Sequence, residues 1–309
     1  DAAMSIQLAA VSLGDWYTVG PFNDVARYLR GRKHGPEGKK IDTEEELKAI
    51  VDLTHAHGGT FALTLNAPFY TDAQLPMLID YIDRMVKLGI DSLILADVGV
   101  LRLLKQRHPV IEYHASTLAH LTNAGSVRLM AEQGMQRVVL PRHLTVADMA
   151  AVIQQAPDVL FDAFLLVGKC PNTEGLCTFH HSSPEKIWPC EIPYEIAPLG
   201  NGASEGLQQA MKKQESWSET NRRHGCGLCA IPHLQKAGVH GLKLVGRGAP
   251  AAQKVRNVTL AKEFLLLASE AVNPEEYRRQ AMAAHKERFG AACHQNVCYY
   301  PEFFYGGEV

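Results

Sequence analysis

No apolar run in this sequence approaches the roughly 18 residues that a membrane-spanning helix needs, so no transmembrane segment is expected. The opening stretch, DAAMSIQLAAVSLGDW, has neither a basic n-region nor a clear cleavage site. It does not read as a signal peptide, and the cytoplasm is the expected location. The stretch reads instead as a helix already under way. A charge excess is also missing. Thirty-one Lys and Arg face 33 Asp and Glu, a formal net charge of −2. With a pI near 6.7, no global basic field points to nucleic acid. There is no P-loop, GxSxG, HExxH or complete GxGxxG, so nucleotide, serine-hydrolase and zincin chemistry lack direct support. Low-complexity tracts are absent, and nothing repeats beyond a strand–helix unit.

What the chain does have is seven cysteines, an odd number in a sequence without an export signal. That combination argues against a disulfide framework. Five of the seven fall between positions 170 and 229, and clustering of reduced thiols points to metal.

The first half alternates aliphatic or β-branched runs with amphipathic stretches. Strands are expected at Tyr17–Val19, Thr60–Leu65, Asp91–Ala96, Val110–His114, Arg137–Leu140 and Val159–Val167. Between them, Leu75–Leu88, Val98–Arg107, Ala124–Gln133 and Val146–Gln155 repeat apolar residues at helical spacing. A seventh strand, Gly241–Val245, leads into a helix over Pro250–Ala271, with Pro250 suited to its first turn. A last helix follows over Pro274–Phe289. Nearly continuous apolar strands alternating with helices imply a parallel sheet covered by helices. The expected fold is a (β/α)8 TIM-like barrel, complete or left open, whose first strand is missing or unread; a doubly wound open sheet is the alternative.

Residues 1–168 carry the strand–helix repeats, 169–230 a cysteine-rich insertion, 231–272 the last strand and its helix, and 273–309 the final helix and tail. The insertion follows a strand's C-terminal end, where barrels place active-site loops. It holds Cys170-x6-Cys177-x12-Cys190, then Cys226-x2-Cys229. Isolated cysteines are commonly inert core residues, but five spaced along a proline-rich insertion suit a metal site. Spacing alone leaves zinc and an iron–sulfur cluster open. Cys293-x4-Cys298 in the tail is a weaker signal, compatible with ligands, a second metal or simple packing.

The stretch DAFLLVGKCPNTEGLCTFHHSS resembles the signature of the collagenase-like peptidase family, peptidases of unknown mechanism. That family includes UbiU-type iron–sulfur proteins of oxygen-independent ubiquinone biosynthesis and bacterial RNA hydroxylation proteins. Its pattern is a strand ending in Gly, then Cys, six residues, and Cys preceded by Gly-Arg. Cys170, Cys177 and Gly175 keep their places, but Leu176 stands where the family has Arg. SLILADVGVL (Ser92–Leu101), IEYHASTLAHLTN (Ile111–Asn123), VVLPRHLT (Val138–Thr145) and IPHLQKAGVHGLKLVGR (Ile231–Arg247) are similar to further family stretches in the same order. In the last of these, Val245 replaces a family Glu.

The resemblance implies a barrel-like scaffold and a [4Fe–4S] cluster. Its ligands would be Cys170, Cys177, Cys190 and either Cys226 or Cys229, with Cys229 nearer the family spacing. It also implies oxygen-independent hydroxylation with prephenate as oxygen donor. The acceptor would be an aromatic small molecule or an RNA base; the balanced charge favours a small molecule or a substrate delivered by a partner. A related subunit forming a heterodimer, with this chain as scaffold or electron carrier, is a second implication. Peptidase activity is a poor expectation, because the best cysteines are committed as ligands and no Cys/His nucleophile pair is evident.

Several polar residues stand at strand ends. His114, Arg142 and Arg247 are the catalytic candidates, and Asn66, Ser116 and Lys243 the substrate-binding ones. The cations suit carboxylates, Arg by its planar fork. Asp97 is explained more simply as the cap of the following helix.

Overall fold

A computed structural model describes residues 43–67, 69–170, 174–175, 202–215, 224–245, 250–270, 273–295 and 297–304, together with the backbone of 5–8. Among the described residues the strands are β1 (Ser5–Leu8), β2 (Ala62–Leu65), β3 (Ser92–Leu95), β4 (Glu112–Ala115), β5 (Arg137–Val139), β6 (Leu160–Leu166) and β7 (Gly241–Leu244). The helices of the first half are α1 (Glu44–Ala56), α2 (Leu75–Leu88), α3 (Val98–Arg107), α4 (Ala124–Glu132) and α5 (Val146–Gln154). Those of the second half are α6 (Glu205–Glu215), α7 (Ile231–Lys236), α8 (Ala251–Ser269) and α9 (Pro274–Phe289).

All strand pairs are parallel, in the order β1-β7-β6-β5-β4-β3-β2. That is the order of a closed barrel with one seam, between β1 and β2, unpaired among the described residues. The architecture is therefore an open, curled parallel α/β sheet, compatible with an incomplete TIM-like barrel. Among the described residues no helix is long and apolar enough to cross a membrane.

Three local expectations change. Ser5–Leu8 is a strand in register with Gly241–Leu244, not part of a helix. Its sequence alternates Ser and Gln with Ile and Leu, but four residues beside alanine-rich stretches give the period-two signal little length. The cysteine-rich insertion over 169–230, in which no helix is expected from the sequence, contains α6. Pro250 is the N-cap of α8 rather than a residue of its first turn. The expected strand at Tyr17–Val19 lies outside the described residues.

Side-chain capping explains where four of the five first-half helices start, α2 being the exception. Thr43 accepts from the Glu46 N–H ahead of three glutamates, Asp97 caps α3, Asn123 caps α4, and Thr145 with Asp148 forms a capping box on α5. Each helix lays an apolar stripe on the sheet, such as Leu78, Ile82 and Met85 of α2. They meet a sheet face made of Leu63, Leu65, Leu93, Leu95, Tyr113, Val138, Phe161, Ala163 and Leu242, all of them buried. Burial of each large aliphatic or aromatic side chain contributes about 1.5–3 kcal/mol.

Candidate functional site

Residues paired across parallel strands point to the same side of the sheet, and successive residues alternate. The register aligns Ile94 with His114, His114 with Arg137, Asp162 with Gly241, and Phe164 with Lys243. The side away from the helices thus carries Ser92, Glu112, His114, Arg137, Asp162 and Lys243. This inner face is held by charge. Arg137 Nη1 lies 2.8 Å from Asp162 Oδ1, and its Nε lies 3.4 Å from Glu112 Oε1. His114 Nε2 lies 2.9 Å from the same Glu112 oxygen, although neither ring nitrogen makes a well-directed hydrogen bond. His114 first and Arg137 second hold the Glu112 carboxyl below the usual carboxylate range. Glu112 and Arg137 open their strands, so this ladder sits toward the N-terminal end of the sheet.

The C-terminal strand ends form a different rim. Asn66, just past β2, donates from Nδ2 to Ser116 Oγ at 3.0 Å, past β4. Ser116 also accepts from the Leu118 N–H. Two of the expected substrate-binding residues are therefore brought together. Asp97 accepts from the Gly99, Val100 and Tyr70 N–H groups, so capping accounts for it.

Arg142 follows Leu140 and Pro141 at the end of β5. Its guanidinium stacks 3.4 Å above the Phe164 ring centroid and is in contact with the Glu174 carboxylate. The Arg142 N–H donates to Glu174 Oε2 at 2.7 Å. Glu174 is buried, only 2% exposed, and its backbone carbonyl accepts from His120 Nδ1 at 2.7 Å. His120 in turn lies beside His143, ring centroids 5.5 Å apart. Burial, and then His120, pushes the His143 pKa down. Sequence reasoning missed Glu174, His120 and His143. Only Gly175, kept in the family pattern, marked this turn; its φ of +86° leaves a Cβ no room against His120 and Leu118.

Cys170 lies four residues beyond β6, in a segment that runs beside Gly225–Cys226. The Val167 N–H donates to the Gly225 carbonyl at 2.8 Å, and Leu166 and Cys226 form an antiparallel bridge. Gly225 packs so closely on Lys169 that an added Cβ would lie 3.0 Å from its backbone nitrogen. Cys229 follows in a 3-10 turn, Leu228–Ala230. The tail closes over this corner. The Cys226 N–H donates to Val297, the Tyr299 N–H to Cys226, and Lys169 Nζ to the Cys298 carbonyl. Burial pushes the Cys229 thiol up to about 12 and the Cys293 thiol up to about 11. Cys226 and Cys298 rise for the same reason.

Among the described residues no three His, Cys, Asp or Glu side chains form a metal-binding group. Cys177, Cys190 and Arg247 lie outside the described residues. What the structure does place side by side is the Cys170 segment and the Cys226–Cys229 segment, at the rim of β6. Cysteine sulfur is a soft donor of the kind an iron–sulfur group takes, and expected ligands lie on both of these neighbouring segments. The family's Glu position is Val245, which packs against Gly168 beside the Cys170 segment.

An open parallel α/β sheet with a charged inner face and cysteines at its C-terminal rim defines the class of protein. The model of peptidase family U32 matches residues 38–303, and the chain belongs to that family. Its curated relatives include tRNA hydroxylation protein P of Haemophilus influenzae, 27% identical over 250 residues, 65% of this chain and 54% of the relative. The protein of the same name in Escherichia coli is 26% identical over 249 residues, 66% of this chain and 54% of the relative. The Escherichia coli 23S rRNA 5-hydroxycytidine C2501 synthase is 26% identical over 178 residues, 55% of this chain and 26% of the relative. The chain thus spans about half the length, or less, of these relatives. Among solved structures, the U32 peptidase Mk0906 aligns with 70% of this chain and 82% of its own, at 12% identity and TM-score 0.45.

Proposed function

We propose that this chain holds a [4Fe–4S] cluster and takes part in oxygen-independent hydroxylation of an RNA base, with prephenate as the oxygen donor. The observation that carries the reading is the packing of the Cys170 segment against the Cys226–Cys229 segment at the rim. It gains weight from relatives named for tRNA and rRNA hydroxylation. Those names move the acceptor from the small molecule favoured by a charge of −2 toward RNA. Net charge is a weak guide here, because it says nothing of how charge is distributed over the surface.

Cys170, Cys177, Cys190 and Cys229 would hold the cluster, which supplies an electron-transfer or Lewis-acid centre when bound. A dicarboxylate donor needs cations, and Lys243 and Arg247 belong to the last strand and its exit. Arg142 already carries the Glu174 carboxylate, so a donor carboxylate would have to compete with Glu174 for it. The Asn66–Ser116 pair offers amide and hydroxyl groups to a base or sugar at the rim. His114 stands on the inner face, its Nε2 2.9 Å from Glu112.

The test is anaerobic purification of the full-length protein, with iron and sulfide assays. Brown protein with about four iron and four sulfide per chain is expected. Incubation with prephenate, an electron acceptor to take the two electrons that turning C–H into C–OH releases, and unmodified RNA should add one oxygen to a base, read by nucleoside mass spectrometry. Colourless protein with stoichiometric zinc overturns the cluster. An oxygen gained only when dioxygen is present overturns the donor.

A further inference from the structure

We propose that Glu174 is a latch: clamped by Arg142, its carboxylate fixes the turn between Cys170 and Cys177 onto the rim of the sheet. The structural claim stands on geometry alone, while its consequence for metal retention rests on the cluster reading above.

Three independent contacts converge on this one turn. The Glu174 carboxylate takes both the guanidinium and the backbone N–H of Arg142, from a segment 32 residues away. The Glu174 carbonyl takes His120 Nδ1, from the turn after β4. Gly175 nestles against the His120 Cβ and the Leu118 carbonyl, at 2.9 Å from where its own Cβ would lie. The clamp is itself braced, because the Arg142 guanidinium that meets Glu174 also stacks on the Phe164 ring of β6. Phe164 points to the inner face, so Arg142 links the ends of β5 and β6 to the turn. A carboxylate that is 2% exposed has lost its water and is held in place by this cation.

The turn's position matters because Gly175 is two residues before Cys177, and Cys170 is four before Glu174. A cluster site needs its thiolates held at one spacing, and groups packed outside the ligand set commonly do this. Among the described residues no contact joins Glu174 to a thiol, so its part is positioning.

The experiment pairs hydrogen–deuterium exchange of the metal-free full chain with iron loss to a chelator from the reconstituted protein. Three variants are compared: Glu174→Gln, which keeps an acceptor for the Arg142 N–H, Glu174→Ala, and the doubly neutral Arg142→Met/Glu174→Gln. The double variant guards against misfolding from an unpaired Arg142. Exchange in peptides covering 168–177 and 116–121 should rise on the order of tenfold in Glu174→Ala, and less in Glu174→Gln, while helices α2 and α3 stay unchanged. Iron loss should quicken in the same order. Unchanged exchange at both peptides in all three variants overturns the latch. If exchange rises but wild-type protein takes up no iron, the latch stands and the cluster reading fails. If exchange rises while iron loss stays at the wild-type rate, the positioning role is overturned.

Discussion

Cys226 and Cys298 are bridge partners in adjacent parallel extended segments, joined by the Cys226 N–H to Val297 and the Tyr299 N–H to Cys226. Leu166 of β6 pairs with Cys226 on its other side, so the tail extends the order of the sheet beyond its named strands. This placement separates two cysteines that spacing left equivalent. Cys226 is 4% exposed and belongs to the hydrophobic core, whereas Cys229 only packs against that core from a turn. Cys226→Ala is therefore expected to lower stability by about 1–2 kcal/mol without loss of iron. Cys229→Ser should abolish iron binding and leave the fold intact. Urea titration and iron assay of the two variants decide the matter; the opposite pattern assigns the ligand to Cys226.

The tail is also anchored through Tyr300. Its hydroxyl donates to the Phe164 carbonyl at 2.7 Å, in a buried setting. Gly227 lies so close that an added Cβ would sit 2.7 Å from Tyr300 Cε2. Tyr300→Phe keeps the ring and strands a buried carbonyl, at a cost of about 1–3 kcal/mol. Gly227→Ala should cost at least as much, because neither the ring nor the backbone beside it can retreat. Denaturant midpoints measure both. A Tyr300→Phe variant as stable as wild type would show that the tail is not fastened here.

The alternation of strands and helices from residue 60 onward was legible because the strands are short, largely apolar runs and their helices keep a 3.6-residue stripe. Leu75–Leu88, Val98–Arg107 and Pro274–Phe289 match their expected limits. The Ser5–Leu8 strand was not legible, since four residues cannot establish a period. The inner-face ladder left a trace in the sequence: Glu112 and His114 alternate with apolar neighbours, which is the pattern of a strand with one polar face. The Asn66–Ser116 pair followed from placing polar residues just past strand ends. Glu174 could not be found that way. It lies in an irregular turn, and only the folded chain brings it to Arg142.

Partial desolvation lowers the pKa of several histidines, one of which, His285, is buried, and this sets a direction for acid sensitivity. Burial lowers the pKa of His285, and His143, His233, His240 and His294 shift the same way, in each case with burial as the main cause. His285 is 1% exposed, and its Nε2–H donates to the His224 carbonyl at 3.2 Å. A folded pKa below the unfolded value of 6.5 means that the unfolded chain binds protons first. The stability contributed by these neutral rings is complete above about pH 6.5 and declines as pH falls through their folded values. Tm should therefore drop between about pH 7 and about pH 5, and His285→Phe should flatten the slope. A His285→Phe profile parallel to wild type would remove His285 from this account.

Arg137 holds the ladder at the opposite end of the sheet from the cysteines. Asp162 is fully buried, and Arg137 Nη1 is 2.8 Å from one of its oxygens. The second oxygen, Oδ2, has no hydrogen-bond partner, so the guanidinium carries much of the compensation. Arg137→Met would leave a buried carboxylate without its cation, and a loss of about 3–5 kcal/mol is expected. Asp162→Leu removes the carboxylate, and Arg137 keeps Glu112 at 3.4 Å, so that single change should cost less. In the double variant no buried charge remains uncompensated at this pair, and much of the Arg137→Met loss should return. A coupling of about 1–3 kcal/mol from the double-mutant cycle is the expected result. Iron content per folded chain should be unchanged throughout, because Glu112 and Arg137 open their strands while Cys170 follows the end of β6. Additive losses would mean that the pair is not the unit holding this face. Loss of iron from the well-folded double variant would mean that the inner face and the rim are coupled, contrary to the separation drawn here.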